Sequence, residues 1–200
     1  MDLSYNTINL FPCIVQAFDI SDFGVLQKQL IDYAYELRDQ DTTGRKVSNR
    51  GGWQSELFRI KNDVNTMHNF LIDFASSIPS IKKEEVDIVM WAWININGKG
   101  HYNVEHAHPS SDLAGVFWIK IPDTSGKLCF NSPNAFETYN EILCSTDKYK
   151  DNNIYHQRFD FDPKEGRILV FPAHLRHYVS ENMFDGDRIS ISFNLELTHK

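Results

Sequence analysis

Cysteine is scarce in this chain, and the few cysteines follow no disulfide or metal-binding pattern. The 200 residues include three of them, at positions 13, 129 and 144, and none belongs to a Cys-x-x-Cys motif. An odd number at wide spacing argues against a disulfide framework and against a zinc site built on thiolates. Such cysteines are typical of small core residues in a reducing compartment, so the sequence predicts a cytoplasmic protein.

Long apolar runs and an excess of basic charge are also missing. No run approaches the roughly 18 apolar residues of a membrane helix, and the first residues carry no basic cluster of the kind that opens a secretory signal. Lysine and arginine number 20 against 27 aspartates and glutamates, which gives a net charge of -7. The chain therefore lacks the basic stripe that attracts nucleic acid. We expect neither a membrane nor a nucleic acid among its partners, and the sequence leaves the oligomeric state open.

What the sequence does contain is an ordinary globular composition, with 42% apolar and 24% charged residues. Its length predicts a single domain over residues 1–200. Apolar residues recur at helical spacing in two segments, at about 21–39 and 64–78. Beyond them the period changes to two, which is typical of β-strands. We therefore expect a helical part over about 1–85 and a β-sheet core over about 86–200.

Alternation of apolar and polar residues marks the candidate strands. Clusters of Gly, Pro, Asn and Asp separate them, as they do in sandwiches and barrels. Helices followed by strands are typical of a mainly β, α+β fold in which the helices pack outside a barrel. We expect Trp91, Trp93 and Trp118 to fill this barrel rather than to bind a substrate. The strand-like runs are 86–96, 114–121, 126–130, 168–171 and 188–197.

Two histidines stand in a pattern that suits a metal ion. His106 and His108 are two residues apart and are followed by Pro109. Alternate residues of a strand point to the same side, so both imidazoles would share one face. Structural histidines fit this spacing as well, and both interpretations stay open at this point. His174 and His177 compete for the place of a third ligand, since both follow the strand that ends at 171.

The last strand-like run carries a possible binding site for an anion. Arg188 and Ser190 lie on one face of this run, and Ile189 and Ile191 lie on the other. In one interpretation the polar face is turned to solvent. In the other, the arginine fork and the serine hydroxyl point inward and bind a carboxylate together.

In this order, the motifs resemble those of the Fe(II)/2-oxoglutarate-dependent oxygenases. The general pattern of that family is His-x-Asp/Glu, a distal His, and Arg-x-Ser on a double-stranded β-helix. More narrowly, the chain is similar to 2-oxoglutarate oxygenases of bacteria and marine phages, and the likeness spans nearly the whole chain. The pieces that carry it are Leu10-Phe11-Pro12, Ser48-Asn49, Gly51-Gly52-Trp53-Gln54-Ser55, Trp93-Ile94-Asn95-Ile96-Asn97, His106-Ala107-His108-Pro109, Gly115-Val116, Phe171-Pro172 and Arg188-Ile189-Ser190-Ile191-Ser192-Phe193-Asn194.

This resemblance implies a fold, a cofactor and a set of site residues. The fold would be a double-stranded β-helix, or jelly roll, with the N-terminal helices packed outside. Fe(II) would bind His106 and His177, which leaves His174 outside the site. Arg188 and Ser190 would bind the distal carboxylate of the cosubstrate 2-oxoglutarate, and Asn95 would help to hold it.

One ligand departs from the general pattern, which has a carboxylate where this chain has His108. His108 would itself bind the metal, or Asp112 would supply the carboxylate, or His108 would stand behind the ligands in an incomplete site. Glu105 is a poor candidate because strand alternation turns it away from His106. The narrower family has His-x-His-Pro at this place, so the resemblance favours His108.

The implied activity is hydroxylation of a peptide or small molecule, with release of succinate and CO2. A peptide prolyl residue is suggested by analogy with prolyl hydroxylases alone. Two other functions fit parts of the pattern. A three-histidine cupin-type dioxygenase would work without 2-oxoglutarate but leaves Arg188 and Ser190 without a role. A jelly-roll binding module would use its histidines for structure or for passive metal binding.

Overall fold

Two helices form in the N-terminal part, where the apolar periodicity predicts them. In a computed structural model, which describes residues 13–133 and 158–200, they are α1 (Gly24–Gln40) and α2 (Thr66–Ser77). The side chain of Asn65 accepts a hydrogen bond from the backbone N–H of His68 at 3.0 Å, and this N-cap fixes the start of α2. No side chain caps α1. No helix among the described residues has the length and apolar content needed to cross a membrane.

The rest of the regular structure in the described chain consists of β-strands. Several of them are too short for alternation to reveal, so the sequence did not predict them. The strands of only two residues exist because they pair with longer neighbours. The bounds are β1 (Gln16–Asp19), β2 (Asn49–Arg50), β3 (Trp53–Gln54), β4 (Phe58–Arg59), β5 (Val86–Asn97), β6 (Tyr102–His106), β7 (Leu113–Lys120), β8 (Leu128–Asn131), β9 (Arg158–Phe161), β10 (Arg167–Pro172), β11 (His177–Val179) and β12 (Arg188–His199).

The strands form two antiparallel sheets. The larger has the order β1-β10-β7-β12-β5-β3, with β4 also paired to β5, and the smaller has the order β2-β6-β11-β8-β9. Short strands of the N-terminal part therefore belong to both sheets, alongside strands of the predicted core. The two sheets pack face to face as a jelly roll, or double-stranded β-helix, so the predicted fold is confirmed.

Alternation along the strands divides the core into two layers. Phe117 and Ile119 of β7 join the helices in a cluster on the outer face of the larger sheet. Val116 and Trp118 of the same strand point the other way and pack against Leu128 of the smaller sheet. Near one end of the barrel, the inner faces of β5 and β12 carry polar side chains instead. That polar end of an otherwise apolar interior is where the candidate site lies.

Gly115 of β7 offers a test of this packing. A Cβ atom at Gly115 would overlap the ring of Phe193 and would stand 2.7 Å from the carbonyl oxygen of Leu169. We expect Gly115→Ala to lower the free energy of unfolding by about 1–3 kcal/mol, as overpacking of a rigid core usually does. Gly24→Ala is the control, because nothing lies within 4 Å of a Cβ there. Urea unfolding measures both, and equal stability of the two variants would contradict the predicted overlap.

Candidate metal centre and cosubstrate pocket

Three histidines converge between the two sheets. One ring nitrogen from each of His106, His108 and His177 lies within 4.8 Å of the other two. His106 ends β6 and His177 begins β11, and the antiparallel register places these two residues directly opposite each other. Their ring centroids are 4.4 Å apart. Strand pairing thus brings together two residues that are far apart in sequence.

His108 reaches the cluster by a different route from the one that strand alternation predicts. Strand β6 ends at His106, so His108 lies beyond it. The backbone N–H of His108 donates to the carbonyl oxygen of Ala173, at 2.8 Å, in the connection between β10 and β11. Its ring stacks on that of His177 at a centroid distance of 5.2 Å and lies 5.8 Å from the ring of Trp93.

Hydrogen bonds orient two of the three rings. Nδ1 of His106 lies 2.8 Å from the carbonyl oxygen of Val104, and Nδ1 of His177 lies 2.8 Å from that of Leu175. A carbonyl oxygen only accepts, so each Nδ1 carries the proton and each Nε2 keeps a free lone pair. Metal-binding histidines are commonly fixed in this way. The ring of His108 forms no such bond with the part of the chain that the structure describes.

The electrostatics keep the three rings neutral. Burial lowers the pKa of His177 to about 4, and the neighbouring His106 adds to the effect. Burial also lowers the pKa of His108 to about 3, helped by the other two rings. For His106 the pKa falls below its usual range, again mainly because of burial. Only a neutral imidazole can bind a metal ion, so the three rings are ready to do so near neutral pH.

The alternative ligands lie elsewhere. Asp112 is exposed, and its Oδ2 accepts a hydrogen bond from the backbone N–H of Leu197 at 2.7 Å. His174 is exposed, three residues before His177. Glu105 forms an ion pair with Arg176 on the outer side of β6. The cluster that the described residues form contains histidines alone.

The other histidines that the structure describes do not join this cluster. The polar context of His101, His156 and His199 and the helical position of His68 predict four surface residues, and for His68 this is wrong. Its side chain is buried, with 5% exposed, and Nδ1 accepts a hydrogen bond from the backbone N–H of Lys61 at 3.1 Å. Burial lowers its pKa, so it serves as a neutral acceptor in the core. His199 is exposed, and His156 lies outside the described residues.

A buried cation shares the pocket with the histidines. Arg188, at the start of β12, is 2% exposed. Its Nη1 lies 3.4 Å from Oγ of Ser190, while Nε and Nη2 find no hydrogen-bond partner among the described residues. Burial lowers the pKa of Arg188 to about 10, so the guanidinium stays charged near neutral pH. An unpaired buried charge is costly, and this end of the pocket therefore suits an anion.

Polar side chains surround the guanidinium. Nδ2 of Asn95 donates to Oγ of Ser192 at 3.0 Å, while its buried Oδ1 has no partner in the described chain. We did not single out Ser192 from the sequence, although it shares the strand face of Ser190. Ser48 belongs to one of the pieces that carry the resemblance but was assigned no role, and no sequence pattern pointed to Asn103. The pocket is lined by Ser48, Trp93, Asn95, Asn103, His106, His108, Gly115, Val116, Leu128, Phe171, His177, Val179, Arg188, Ser190 and Ser192.

Together these features define a class of protein. Three neutral histidines at one end of a jelly-roll pocket suit a divalent transition metal, and a buried arginine at the other end suits a carboxylate. The profile of the 2OG-Fe(II) oxygenase family matches residues 91–194. The chain belongs to this family, so the resemblance seen in the sequence is confirmed. It is accordingly an Fe(II)- and 2-oxoglutarate-dependent dioxygenase, and the histidine cluster fits the metal.

Solved structures of similar fold include several enzymes. A prolyl-4-hydroxylase from Pseudomonas putida is 12% identical, with a TM-score of 0.63 and 91% of each chain covered. A prolyl hydroxylase from Trichoplax adhaerens, in complex with a hypoxia inducible factor peptide fragment, is 11% identical, with a TM-score of 0.60 over 91% of this chain and 83% of that one. The carbocyclase SnoK of nogalamycin biosynthesis is 12% identical, with a TM-score of 0.62 over 93% and 81%. A search of curated proteins found no significant match.

Proposed function

We propose that His106, His108 and His177 bind Fe(II), and that Arg188 binds the distal carboxylate of 2-oxoglutarate with help from Ser190 and Asn95. The observation that carries this proposal is the guanidinium of Arg188. It is buried and charged, and two of its nitrogens have no partner in the described chain. A dicarboxylate bridging the pocket would satisfy both ends, one carboxylate on the arginine and the other end toward the histidines.

Each group of residues has a separate task in this assignment. When bound, Fe(II) and 2-oxoglutarate supply an oxidation in which the cosubstrate loses CO2 and becomes succinate. Val104 and Leu175 fix the ring orientation of His106 and His177 through their carbonyl oxygens. Arg188 orients the cosubstrate by a charge-assisted pair of hydrogen bonds. Apolar side chains such as Leu128 and Phe171 line the pocket and keep water from the reacting groups.

The charge balance of the proposed site also favours an anionic cosubstrate. Three neutral imidazoles leave the full charge of a divalent ion uncompensated, whereas the general family pattern includes a carboxylate ligand. Arg188 adds a further positive charge in the same pocket. A dianion such as 2-oxoglutarate offsets most of this excess, because opposite charges attract strongly where water is excluded.

We propose hydroxylation of a peptide or small molecule as the reaction. Two of the three solved structures described above are prolyl hydroxylases, while the third is a carbocyclase, so the fold admits other oxidations. A reducing, cytoplasmic compartment stays a prediction. It is supported by the free thiols of Cys13 and Cys129 in the described chain.

The direct test is release of succinate from 2-oxoglutarate by protein loaded with Fe(II) in the presence of oxygen. We expect turnover that needs Fe(II) and is lost in Arg188→Ala. Binding of 2-oxoglutarate to Mn(II)-loaded protein without oxygen, measured by calorimetry, is the second readout. Metal binding without 2-oxoglutarate binding would contradict the proposal. Consumption of oxygen would then support the cupin-type dioxygenase, and no consumption of oxygen would support a binding module.

Exchanging the third ligand should change the choice of metal. Imidazole suits Ni(II) and Fe(II), whereas carboxylate suits Mn(II). We therefore expect His108→Asp to raise the ratio of Mn(II) to Ni(II) affinity several-fold, as measured by calorimetry. Asp112→Asn is the matched control and should leave both affinities unchanged, because that carboxylate accepts from Leu197 on the surface. Loss of metal affinity in Asp112→Asn would make Asp112 the ligand instead.

A further inference from the structure

The inward-facing side chains of β5 and β12 form a ladder of cross-strand pairs. Arg188 lies opposite Asn97, and the next three pairs are Ser190–Asn95, Ser192–Trp93 and Asn194–Trp91. Successive pairs are about 7 Å apart, because a strand rises about 3.4 Å per residue. The ring of His108 lies against Trp93 in the third pair. The fourth pair therefore lies one step beyond the metal cluster, on the side away from Arg188.

Alternation turns the fourth pair toward the barrel interior. The neighbours of Asn194, Phe193 and Leu195, belong to the core under the helices, and so do Met90 and Ala92 on either side of Trp91. Asn194 and Trp91 point the opposite way.

The sequence predicts that Trp91, Trp93 and Trp118 fill the barrel. For Trp91 and Trp93, the two tryptophans of the ladder, this is true only in part. Trp118 is fully buried and does fill the core. Trp91 and Trp93 are only half-buried, and Trp93 lines the pocket beside the histidines. Trp91 is the next tryptophan of the ladder beyond Trp93.

Asn194 has an unsatisfied acceptor at the same level. It lies between Trp91 of β5 and Ala114 of β7. Its Oδ1 is buried and accepts no hydrogen bond from any described residue. The turn that follows His108 passes beside it, where the backbone N–H of Asp112 donates to the carbonyl oxygen of Leu195 at 2.9 Å. A buried acceptor without a donor is rare in folded proteins, so this position suits a ligand that brings an N–H group.

Charged groups around the fourth pair are of mixed sign. Exposed Arg59 of β4 lies opposite Trp91, and Glu196 is the next inward-facing residue of β12. Exposed Asp112 lies nearby on the backbone of Leu197. Since these charges oppose one another, the surroundings favour a neutral ligand over a strongly anionic one such as a nucleotide.

We propose that Trp91, Trp93 and Asn194 form the subsite for the primary substrate, and that this substrate is a peptide. The inference rests on the proposed function, which places the metal at the histidines. An apolar side chain or ring of the peptide packs on the indoles, with its C–H bonds facing the metal cluster. A backbone N–H of the peptide donates to Oδ1 of Asn194. A peptide supplies the apolar group and the adjacent donor at once, and it is neutral.

The experiment uses tetrapeptides blocked by acetyl and amide groups, with every residue type in turn at one central position. Stimulation of succinate release by the Fe(II)-loaded protein ranks them. We expect stimulation by peptides with apolar aliphatic central residues, proline included. If no peptide stimulates turnover while calorimetry still shows 2-oxoglutarate binding, the peptide proposal is wrong and the proposed function is not affected. If 2-oxoglutarate does not bind either, the proposed function itself fails.

Variants test the subsite with the best peptide. Asn194→Leu should raise the KM for the peptide about tenfold, as expected for loss of one hydrogen bond, with unchanged affinity for 2-oxoglutarate. N-methylation of the bonded peptide amide should cost wild type the same factor and cost Asn194→Leu nothing further. Trp91→Ala should also raise the peptide KM, and Asn69→Leu on the exposed side of α2 is the control. An unchanged peptide KM in Asn194→Leu, or a change confined to 2-oxoglutarate, would overturn the assignment.

Discussion

Arg188→Ala is expected to weaken 2-oxoglutarate binding by at least about tenfold. The guanidinium is buried and has two nitrogens without partners in the described chain. Hydrogen bonds to charged groups contribute roughly 1.5–3 kcal/mol each, and 1.4 kcal/mol corresponds to one decade of affinity. Calorimetric titration of 2-oxoglutarate into Mn(II)-loaded protein under anaerobic conditions measures the loss.

Two further variants separate charge from geometry at this position. Arg188→Lys should recover only part of the affinity, because an ammonium group cannot form the paired bonds of the guanidinium fork. Ser190→Ala should cost less than Arg188→Ala, since its hydroxyl lies 3.4 Å from Nη1 and contributes one neutral bond. A larger loss in Ser190→Ala would mean that the serine holds the carboxylate and that the arginine has another role.

Removal of a different arginine provides the control. Arg167 of β10 forms a bidentate pair with Asp19 of β1 on the surface, where Nε and Nη2 both lie 2.9 Å from the carboxylate. Arg167→Ala also removes an arginine side chain, but one outside the pocket, and it should leave the affinity for 2-oxoglutarate unchanged. Equal affinity in wild type and Arg188→Ala would move the cosubstrate elsewhere and favour the cupin-type enzyme or the binding module.

His106→Ala and His177→Ala are expected to abolish stoichiometric Fe(II) binding while the fold stays intact. Both rings are held by a backbone carbonyl, so their Nε2 atoms are fixed toward the cluster before any metal arrives. Such outer hydrogen bonds typically account for a factor of about 10–100 in metal affinity. Anaerobic Fe(II) titration measures the loss, with circular dichroism to verify the fold.

His108→Ala should cost less metal affinity than either of the other two substitutions. The ring nitrogens of His108 form no hydrogen bond with the described chain. Fixing this ring on the metal therefore costs conformational entropy, which reduces the contribution of His108 to metal affinity. His174→Ala is the matched control, because His174 is exposed only three residues from His177. It should bind Fe(II) like wild type. Undiminished Fe(II) affinity in His106→Ala or His177→Ala would show that the ligand assignment is wrong.

The sequence determined those features that depend on local periodicity. Helical spacing predicted α1 and α2, and alternation predicted the long strands of the barrel. Alternation also placed Arg188 and Ser190 on one face of β12, and the resemblance implied that this face points inward. The other face of β12 is apolar, and a slip by one residue would turn Ile189 and Ile191 into the pocket. Alternation likewise explains the position of Asn95. It lies opposite Ser190 on β5, and both side chains line the pocket.

Tertiary structure decided what depends on contacts distant in sequence. Register between β6 and β11 sets His106 opposite His177, and the carbonyl of Ala173 holds His108 at the cluster beyond the end of its strand. The carboxylate of Asp112 lies at the surface, where it accepts a hydrogen bond from the backbone N–H of Leu197. Alternation predicts none of these contacts, because each joins residues that are far apart in sequence.

The same limit explains the short strands and the tryptophans. Strands of two residues, such as β2 and β3, exist only through their partners, so no local pattern marks them. Composition could place Trp91, Trp93 and Trp118 in the barrel but could not tell which were covered. The smaller sheet covers Trp118, while Trp91 and Trp93 remain half-buried and Trp93 lines the pocket. Alternation assigns a side chain to a face, and only the packing of the second sheet decides whether that face is closed.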